Sequence, residues 1–99
     1  MDILKHFLDE QDRLVSFPAK RKMKLYALYY LSTKFLQGEK YTEAKFNEIL
    51  NQWHTFSDPT TLRRELFNSR FIDRMSNGSS YGLEPEQPDL LELDKAYIF

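Results

Sequence analysis

The sequence predicts a mainly α fold with a small β-ribbon, arranged as a winged helix-turn-helix with an extra N-terminal element and a C-terminal tail. Three amphipathic segments with helical spacing predict the helices. The pair Asn77 and Gly78, which lies between two short apolar segments, predicts a tight turn between two strands. The order helix, brief strand, helix, helix, strand, turn, strand is typical of a winged helix.

Length and composition indicate one small globular domain. A chain of 99 residues has room for a single small core, which we assign to residues 1–84, with a tail at 85–99. The chain has no cysteine, which excludes a disulfide scaffold, a cysteine-ligated zinc site and a thiol nucleophile. No apolar run approaches the ~18 residues of a membrane span, and the N-terminus is too short and polar for a signal peptide. We therefore expect a cytoplasmic protein without a membrane partner.

Charge is distributed unevenly along the chain. The net charge of −1 argues by itself against a nucleic-acid partner. Residues 13–74, however, hold 12 Lys and Arg against 6 Asp and Glu, whereas residues 1–12 hold 1 against 4 and residues 75–99 hold 1 against 5. A basic centre between acidic flanks favours a polyanionic partner. Alternatively, the solvent-exposed surfaces of these segments differ in charge only by chance.

The N-terminal part predicts one short helix and one long helix. Asp2 is a suitable cap for the short helix, and Pro18 suits the first position of the long one. The long helix is expected to continue to Leu36, with Gly38 behind it as a left-handed cap. Its apolar side is formed by Met23, Ala27, either Tyr30 or Leu31, and Phe35.

The second helix has a cap and a regular apolar stripe. Thr42 is a good N-cap, and Tyr41 before it can pack against Phe46 as a hydrophobic staple. The apolar residues follow the spacing i, i+3, i+4 and i+7: they are Phe46, Ile49, Leu50 and Trp53.

The third helix begins with a strong capping signal and leads into the ribbon. Asp58 is the predicted cap, and Pro59 occupies the first helical position. The inward side of the helix is formed by Leu62, Leu66 and Ser69. Strands are then predicted at 71–75 and 80–83.

Four motifs in this order resemble the bacterial domain of unknown function 2087 family. They are Phe17 to Lys22; Tyr41 to Glu43 with Phe46, Asn47 and Leu50; Asp58 with Thr61 to Arg64 and Leu66; and Asp73 and Arg74 with Gly78 and Tyr81. The resemblance covers roughly residues 7–83. It implies a small winged-helix-like domain, found alone or attached to helix-turn-helix transcriptional regulators, with no settled biochemical activity.

The chain departs from the family pattern at two places. Family members usually have glycine directly after the third helix, where this chain has Arg70, so we expect the helix exit to be built differently. Tyr81 and Gly82 stand where an aromatic pair is common, which predicts a thinner wing.

The outward side of the third helix holds the candidate DNA-reading residues. Each residue turns the helix by about 100°, so Arg64 points away from the buried leucines. Arg can bind guanine with two hydrogen bonds and Asn can bind adenine in the same way. The candidate base contacts are therefore Thr60, Arg64 and Asn68.

Other cations are candidate phosphate contacts. On and after the third helix they are Arg63, Arg70 and Arg74. Alternatively, Arg63 pairs with Asp73 or with a carboxylate of the second helix, and Arg64 is merely solvated. A further basic cluster comprises Lys20, Arg21 and Lys22; it either contacts phosphates or is balanced by the acidic residues before it.

A second hypothesis treats the domain as a protein-interaction or dimerisation module. Glu65 and an outward Phe67 count against a clean DNA-binding face. Tyr26 and Tyr29 are expected to be the most exposed tyrosines of the long helix, and aromatic patches are common at interfaces. The candidate interface residues, which suit a homodimer or another protein partner, are Tyr26, Tyr29, Phe67, Tyr97 and Phe99.

No pattern predicts an enzyme, a metal site or a cofactor. His6 and His54 lie in different elements and lack a ligand-type partner at helical spacing. There is no nucleophile elbow and no phosphate-binding glycine loop. The sequence therefore favours a non-catalytic module of transcription regulation that binds double-stranded DNA, with the interaction module as the alternative.

Overall fold

The computed structural model describes residues 2–75 and 80–89. Its elements, in chain order, are a 3-10 helix Asp2–Phe7, α1 Arg21–Ser32, α2 Glu43–Gln52, α3 Pro59–Asn68, β1 Ile72–Arg74 and β2 Tyr81–Leu83. Three helices and a two-stranded antiparallel sheet confirm the mainly α class with a small β-ribbon, in a winged-helix-like layout. The predicted turn at 76–79 and the tail beyond Asp89 lie outside the described residues.

One core lies between the three helices, the hairpin and the N-terminal segment. The largest fully buried side chains are Leu4, Leu14, Leu28, Leu31, Phe46, Leu50, Leu62, Leu66, Phe71 and Ile72. Every element except β2 contributes at least one of them, and Tyr81 of β2 is buried in the same core. Leu4 and Leu14 show that the N-terminal residues are part of the domain rather than an appendage. In the described part of the chain, the helices are too short and too polar to cross a bilayer.

The N-terminal segment reaches the core through a tight turn. Leu8 and Leu14 form an antiparallel bridge around it. Asp9 stabilises the turn because its Oδ1 accepts from the backbone N–H of Gln11 (2.9 Å) and of Arg13 (2.8 Å). These bonds, with the Arg13 backbone bond as the largest cause, lower the pKa of the Asp9 carboxyl.

The start of α1 differs from the prediction. Pro18 is buried three residues before the helix and does not occupy its first position. The chain stays extended at Lys20, which is the N-cap (φ −74°, ψ 136°) but makes no side-chain capping bond. The prediction was wrong because packing of Pro18 into the core holds this segment extended, and tertiary packing overrides a local preference.

The end of α1 also comes earlier than predicted. The Ser32 hydroxyl donates to the Tyr29 carbonyl (2.6 Å), which offers the backbone a partner other than the next helical N–H. The chain then turns, so that the Phe35 ring stacks on Phe46 with centroids 4.2 Å apart. Gly38 (φ 83°) therefore lies in the turn after α1 and not at its cap.

The capping of α2 confirms the prediction. Thr42 Oγ1 accepts from the Lys45 N–H at 3.1 Å. The Tyr41 and Phe46 rings are 6.3 Å apart and nearly perpendicular, which is the contact expected of a hydrophobic staple.

The hairpin is joined to the helical part by a further bridge. β1 and β2 pair with Ile72 opposite Leu83 and Arg74 opposite Tyr81. Tyr81 also exchanges two 2.8 Å backbone hydrogen bonds with Tyr41, the residue that precedes the cap of α2. The position of the hairpin beside α3 is therefore fixed by main-chain bonds as well as by packing.

The exit from α3 is left-handed, against the prediction of a different exit. Arg70 has φ 65°. Its N–H donates to the Phe67 carbonyl (3.0 Å), and the Phe71 N–H donates to the Leu66 carbonyl (2.9 Å). These two bonds form a Schellman motif, in which glycine usually takes the left-handed place. The prediction was wrong because burial of Leu66 and Phe71 fixes the turn, whatever residue stands between them.

Candidate nucleic-acid interface

The N-terminus of α3 is held at two points. Asp58 Oδ1 accepts from the Thr61 N–H at 3.2 Å, and Pro59 begins the helix, as predicted. The Asp58 N–H donates to Nε2 of His54, a buried ring whose Nδ1 lies 2.6 Å from the Leu50 carbonyl oxygen. Since Nε2 accepts, the proton is on Nδ1. His54 thus links the end of α2 to the start of α3.

The surroundings of Asp58, the N-cap of α3, also lower the pKa of its carboxyl group. The hydrogen bonds from Thr61 are the main reason that the pKa of Asp58 lies below its ordinary value, and the charge of Arg64 lowers it further. The exposed Arg64 is therefore close enough to the start of α3 to interact with its cap.

The two sides of α3 are separated as the sequence predicts. Leu62 and Leu66 are fully buried. Thr60, Arg64 and Asn68 are exposed and lie four residues apart, so they form one row along the helix.

Arg63 is a brace between α2 and α3. Its Nη2 lies 2.8 Å from Glu43 Oε1, and its Nη1 donates to Asn47 Oδ1. The guanidinium carbon also lies 5.3 Å from the centre of the Tyr81 ring. Only 14% of the Arg63 side chain is exposed. Of the two alternatives for Arg63, the structure shows the pairing with a carboxylate of the second helix.

Phe67 and Arg74 form a stacked pair between α3 and the hairpin. The guanidinium carbon of Arg74 lies 5.2 Å from the centre of the Phe67 ring, within the range of a cation–π contact. Phe67 is 37% exposed. An exposed Phe67 argues against a DNA-binding face in the sequence analysis, but in the structure its ring stabilises the Arg74 cation on that face.

An open cleft brings the α3 and hairpin residues together. Its volume is about 280 Å³, and its lining consists of Thr60, Arg63, Arg64, Phe67, Asn68, Arg74 and Tyr81. A second cleft on the far side of Phe67 and Asn68 adds Arg70, Ile72, Asp73 and Glu84. All six candidate residues on and after α3 thus border one continuous surface, which we call the α3 face.

The basic cluster of α1 lies on the opposite flank of α3. Lys20, Arg21 and Lys22 are exposed. Arg21 lines a cleft with Glu65 of α3 and with Ser69, the C-cap of that helix. The structure therefore places the cluster beside α3 but separates it from the hairpin cations by the width of the helix.

A comparison with models of protein families shows which family the chain belongs to. Residues 13–83 match the model of a family described as an uncharacterized protein conserved in bacteria (DUF2087). The chain belongs to this family. No match was found among curated proteins or among solved structures. The DUF2087 match begins at Arg13, so it leaves out the 3-10 helix that completes the core of this chain.

The predicted interface residues of this DUF2087 protein differ in exposure, and Phe67 is the exposed one among those that the structure describes. Tyr26 and Tyr29 are half-buried, as is Tyr30, and all three pack against the core. Tyr30 of the same helix donates to the Asp12 carbonyl at 2.6 Å, which ties α1 to the N-terminal segment. Tyr97 and Phe99 lie outside the described residues.

Within the described ranges, 2–75 and 80–89, no group of three or more His, Asp or Glu side chains is arranged to hold a metal ion. Both nitrogens of His54 are engaged by backbone groups.

Sequence reasoning anticipated a carboxylate of the second helix as partner of Arg63 without naming Glu43, and it missed Asn47 and the stacking of Arg74 on Phe67. Glu43 and Asn47, which hold Arg63, are spaced i, i+4 on α2, a spacing that places both on the side facing α3. That spacing was the available signal. The stacking of Arg74 on Phe67 had no sequence signal, because it depends on the angle between the hairpin and α3.

Proposed function

We propose that this domain is a non-catalytic DNA-binding module of transcription regulation that acts in the cytoplasm and reads duplex DNA with the α3 face. The observation that carries the proposal is that the two adjacent arginines differ in their contacts and exposure. Arg63 is used internally to fix α3 against α2, while Arg64 is left exposed beside an open cleft. A helix that is fixed in position and presents an exposed arginine suits recognition in a major groove.

The spacing of the exposed row supports this role. Thr60, Arg64 and Asn68 are four residues apart, and four residues of α-helix rise about 6 Å. Base pairs are about 3.4 Å apart, so successive members of the row are offset by nearly two base pairs. Arg64 suits guanine and Asn68 suits adenine, because each offers two hydrogen bonds to that base.

Cations on both flanks of α3 suit the phosphate backbones on either side of a groove. Arg74 stands on the hairpin side, supported by Phe67. Lys20, Arg21 and Lys22 stand on the α1 side. Contacts of this kind position a protein on DNA and make its affinity depend on salt. The basic centre of the chain is thus concentrated around the proposed reading helix, despite the net charge of −1.

Fluorescence anisotropy with labelled mixed-sequence duplexes tests the proposal at about 50 mM and about 200 mM salt. We expect binding at the lower salt, weakening at the higher salt, and a loss of affinity in Arg64→Ala. Lys5→Ala is the matched control, since it removes the same charge from the exposed N-terminal 3-10 helix. Absence of binding at low salt, or equal effects of the two variants, would contradict the proposal.

The alternative function is a protein-interaction or dimerisation module. It is favoured by exposed apolar side chains at the turn after α1 and at the end of β1, where Leu36 is 68% exposed and Met75 46% exposed. Sedimentation velocity of the full chain and of a variant ending at Asp89 tests it. That end point keeps Gln87, whose side chain donates to the Phe71 carbonyl at 2.9 Å. Association of the full chain that is lost in the shorter variant would support this alternative.

A further inference from the structure

Arg70 adopts a backbone conformation that arginine rarely takes. In the described residues, positive φ outside glycine occurs at Asp12, Ser57 and Arg70. Asp is one of the residues that tolerate the left-handed region, because its short side chain can bond locally. Arginine has no such local compensation, so its presence at φ 65° carries a conformational cost.

The cost cannot be relieved by relaxing the turn. Arg70 follows the C-cap of α3, and the bonds from Arg70 to Phe67 and from Phe71 to Leu66 require a left-handed residue between them. Leu66 and Phe71 on either side are fully buried, so they fix both ends of the turn in the core. Glycine would fit here without strain.

Among the described residues, no hydrogen bond or ion pair accounts for the arginine side chain at position 70. Arg70 is exposed, and its guanidinium makes no hydrogen bond or ion pair with the described residues. Its neighbours in the two clefts that it lines include Asp73, Glu84 and Glu86, yet none of these carboxylates pairs with it. The side chain is therefore available to a partner outside the domain.

The location of Arg70 indicates the kind of partner. The cleft that Arg70 lines meets the α3 cleft at Phe67 and Asn68, so Arg70 stands at the C-terminal end of the row formed by Thr60, Arg64 and Asn68. The C-terminal end of a helix carries a partial negative charge that repels an anion. A cation at this end offsets that repulsion where the helix would approach a DNA strand.

We propose that Arg70 is a phosphate-contacting residue of the α3 face, retained in a strained conformation because duplex DNA needs its charge. This inference rests on the proposed DNA-binding function and goes beyond it. It predicts that Arg70 raises the affinity for duplex DNA and lowers the stability of the folded domain. An arginine with a purely structural role would not show this combination, since its removal would lower stability or leave it unchanged.

Three variants separate the effect of the Arg70 charge from the effect of its backbone strain. Arg70→Gly removes both, so we expect the Tm to rise by about 3–6 °C while affinity for a mixed-sequence duplex falls about tenfold at about 50 mM salt. Arg70→Gln keeps the strain and removes the charge, so affinity falls. The Tm should fall by at most a few degrees, because the cation no longer offsets the partial negative charge of the helix C-terminus. Arg70→Lys keeps both and retains most of the binding.

The slope of log affinity against log salt gives a second measure. Loss of one phosphate contact should reduce its magnitude by about 0.9 in Arg70→Gly and Arg70→Gln, and not in Arg70→Lys. If the wild type and Arg64→Ala differ in binding but all Arg70 variants bind as the wild type does, the Arg70 assignment is overturned and DNA binding stands. If the wild type does not bind at low salt, both fail. An unchanged or lower Tm in Arg70→Gly overturns the strain argument.

Discussion

Replacing Arg63 by alanine tests whether the first arginine of α3 is a brace. The change removes the 2.8 Å ion pair with Glu43 and the hydrogen bond to Asn47. It also removes the side-chain stem that packs beside the Tyr81 ring. Because only 14% of the Arg63 side chain is exposed, these contacts are formed largely out of solvent.

The expected loss of stability follows from the exposure of the partners. Glu43 is 56% exposed, so water replaces its lost partner, and the ion pair contributes well under 1 kcal/mol. The hydrogen bond to Asn47 and the packing of the stem each contribute about 0.5–1 kcal/mol. We expect the free energy of unfolding to fall by about 1.5 kcal/mol, which lowers the Tm of a domain this size by about 6–12 °C.

Urea denaturation followed by far-UV circular dichroism measures this loss. Arg64→Ala is the matched control: it changes the neighbouring residue, which is exposed, and should alter stability by less than about 0.5 kcal/mol. Equal stabilities of the two variants would refute the assignment of Arg63 as a brace. A double-mutant cycle with Glu43→Ala isolates the ion pair, for which we expect a coupling of about 0.5 kcal/mol.

Three further predictions concern the cap, the core and the hairpin. Bonds from Thr61 lower the pKa of Asp58, and a group with a lowered folded pKa stabilises the fold above its unfolded pKa. That contribution is lost as the pH falls through the folded pKa, so below about pH 4 thermal melts should show a steeper loss in the wild type than in Asp58→Asn. Phe46 is fully buried, so Phe46→Ala should cost about 3–5 kcal/mol in urea denaturation; a loss below about 1 kcal/mol would contradict its central place in the core. A Cβ on Gly82 would lie 3.0 Å from the Glu39 carbonyl oxygen, so Gly82→Ala should lower the Tm, and an unchanged Tm would show that the 37–40 turn moves freely.

Local chemistry made the helix starts of α2 and α3 predictable. Thr42 and Asp58 each accept the backbone N–H that a cap should accept. The outward direction of Arg64 also followed from the sequence, because helical geometry sets it once Leu62 and Leu66 are known to be buried. The prediction succeeded wherever a few neighbouring residues determine the outcome.

Features that depend on distant residues could not be predicted in the same way. Pro18 suits a helix start locally, but its burial in the core keeps the chain extended. The early end of α1 follows from the stacking of Phe35 on Phe46 across the domain. The left-handed conformation of Arg70 is imposed by two buried neighbours, against its own preference. In each case a tertiary contact outweighs a local preference of about 1 kcal/mol.

The most direct test of the account is a ¹H–¹⁵N NMR titration of the full chain with duplex DNA at low salt. If α3 reads DNA, we expect progressive shifts of backbone amides on the α3 face, with smaller shifts at Lys20 to Lys22. The amides of the α3 face that should shift are those of Thr60, Arg64, Phe67, Asn68, Arg70 and Arg74. The amides of the turn after α1, around Leu36, should not move. Absence of shifts at low salt, or shifts confined to the Leu36 turn, would contradict the claim that α3 reads DNA.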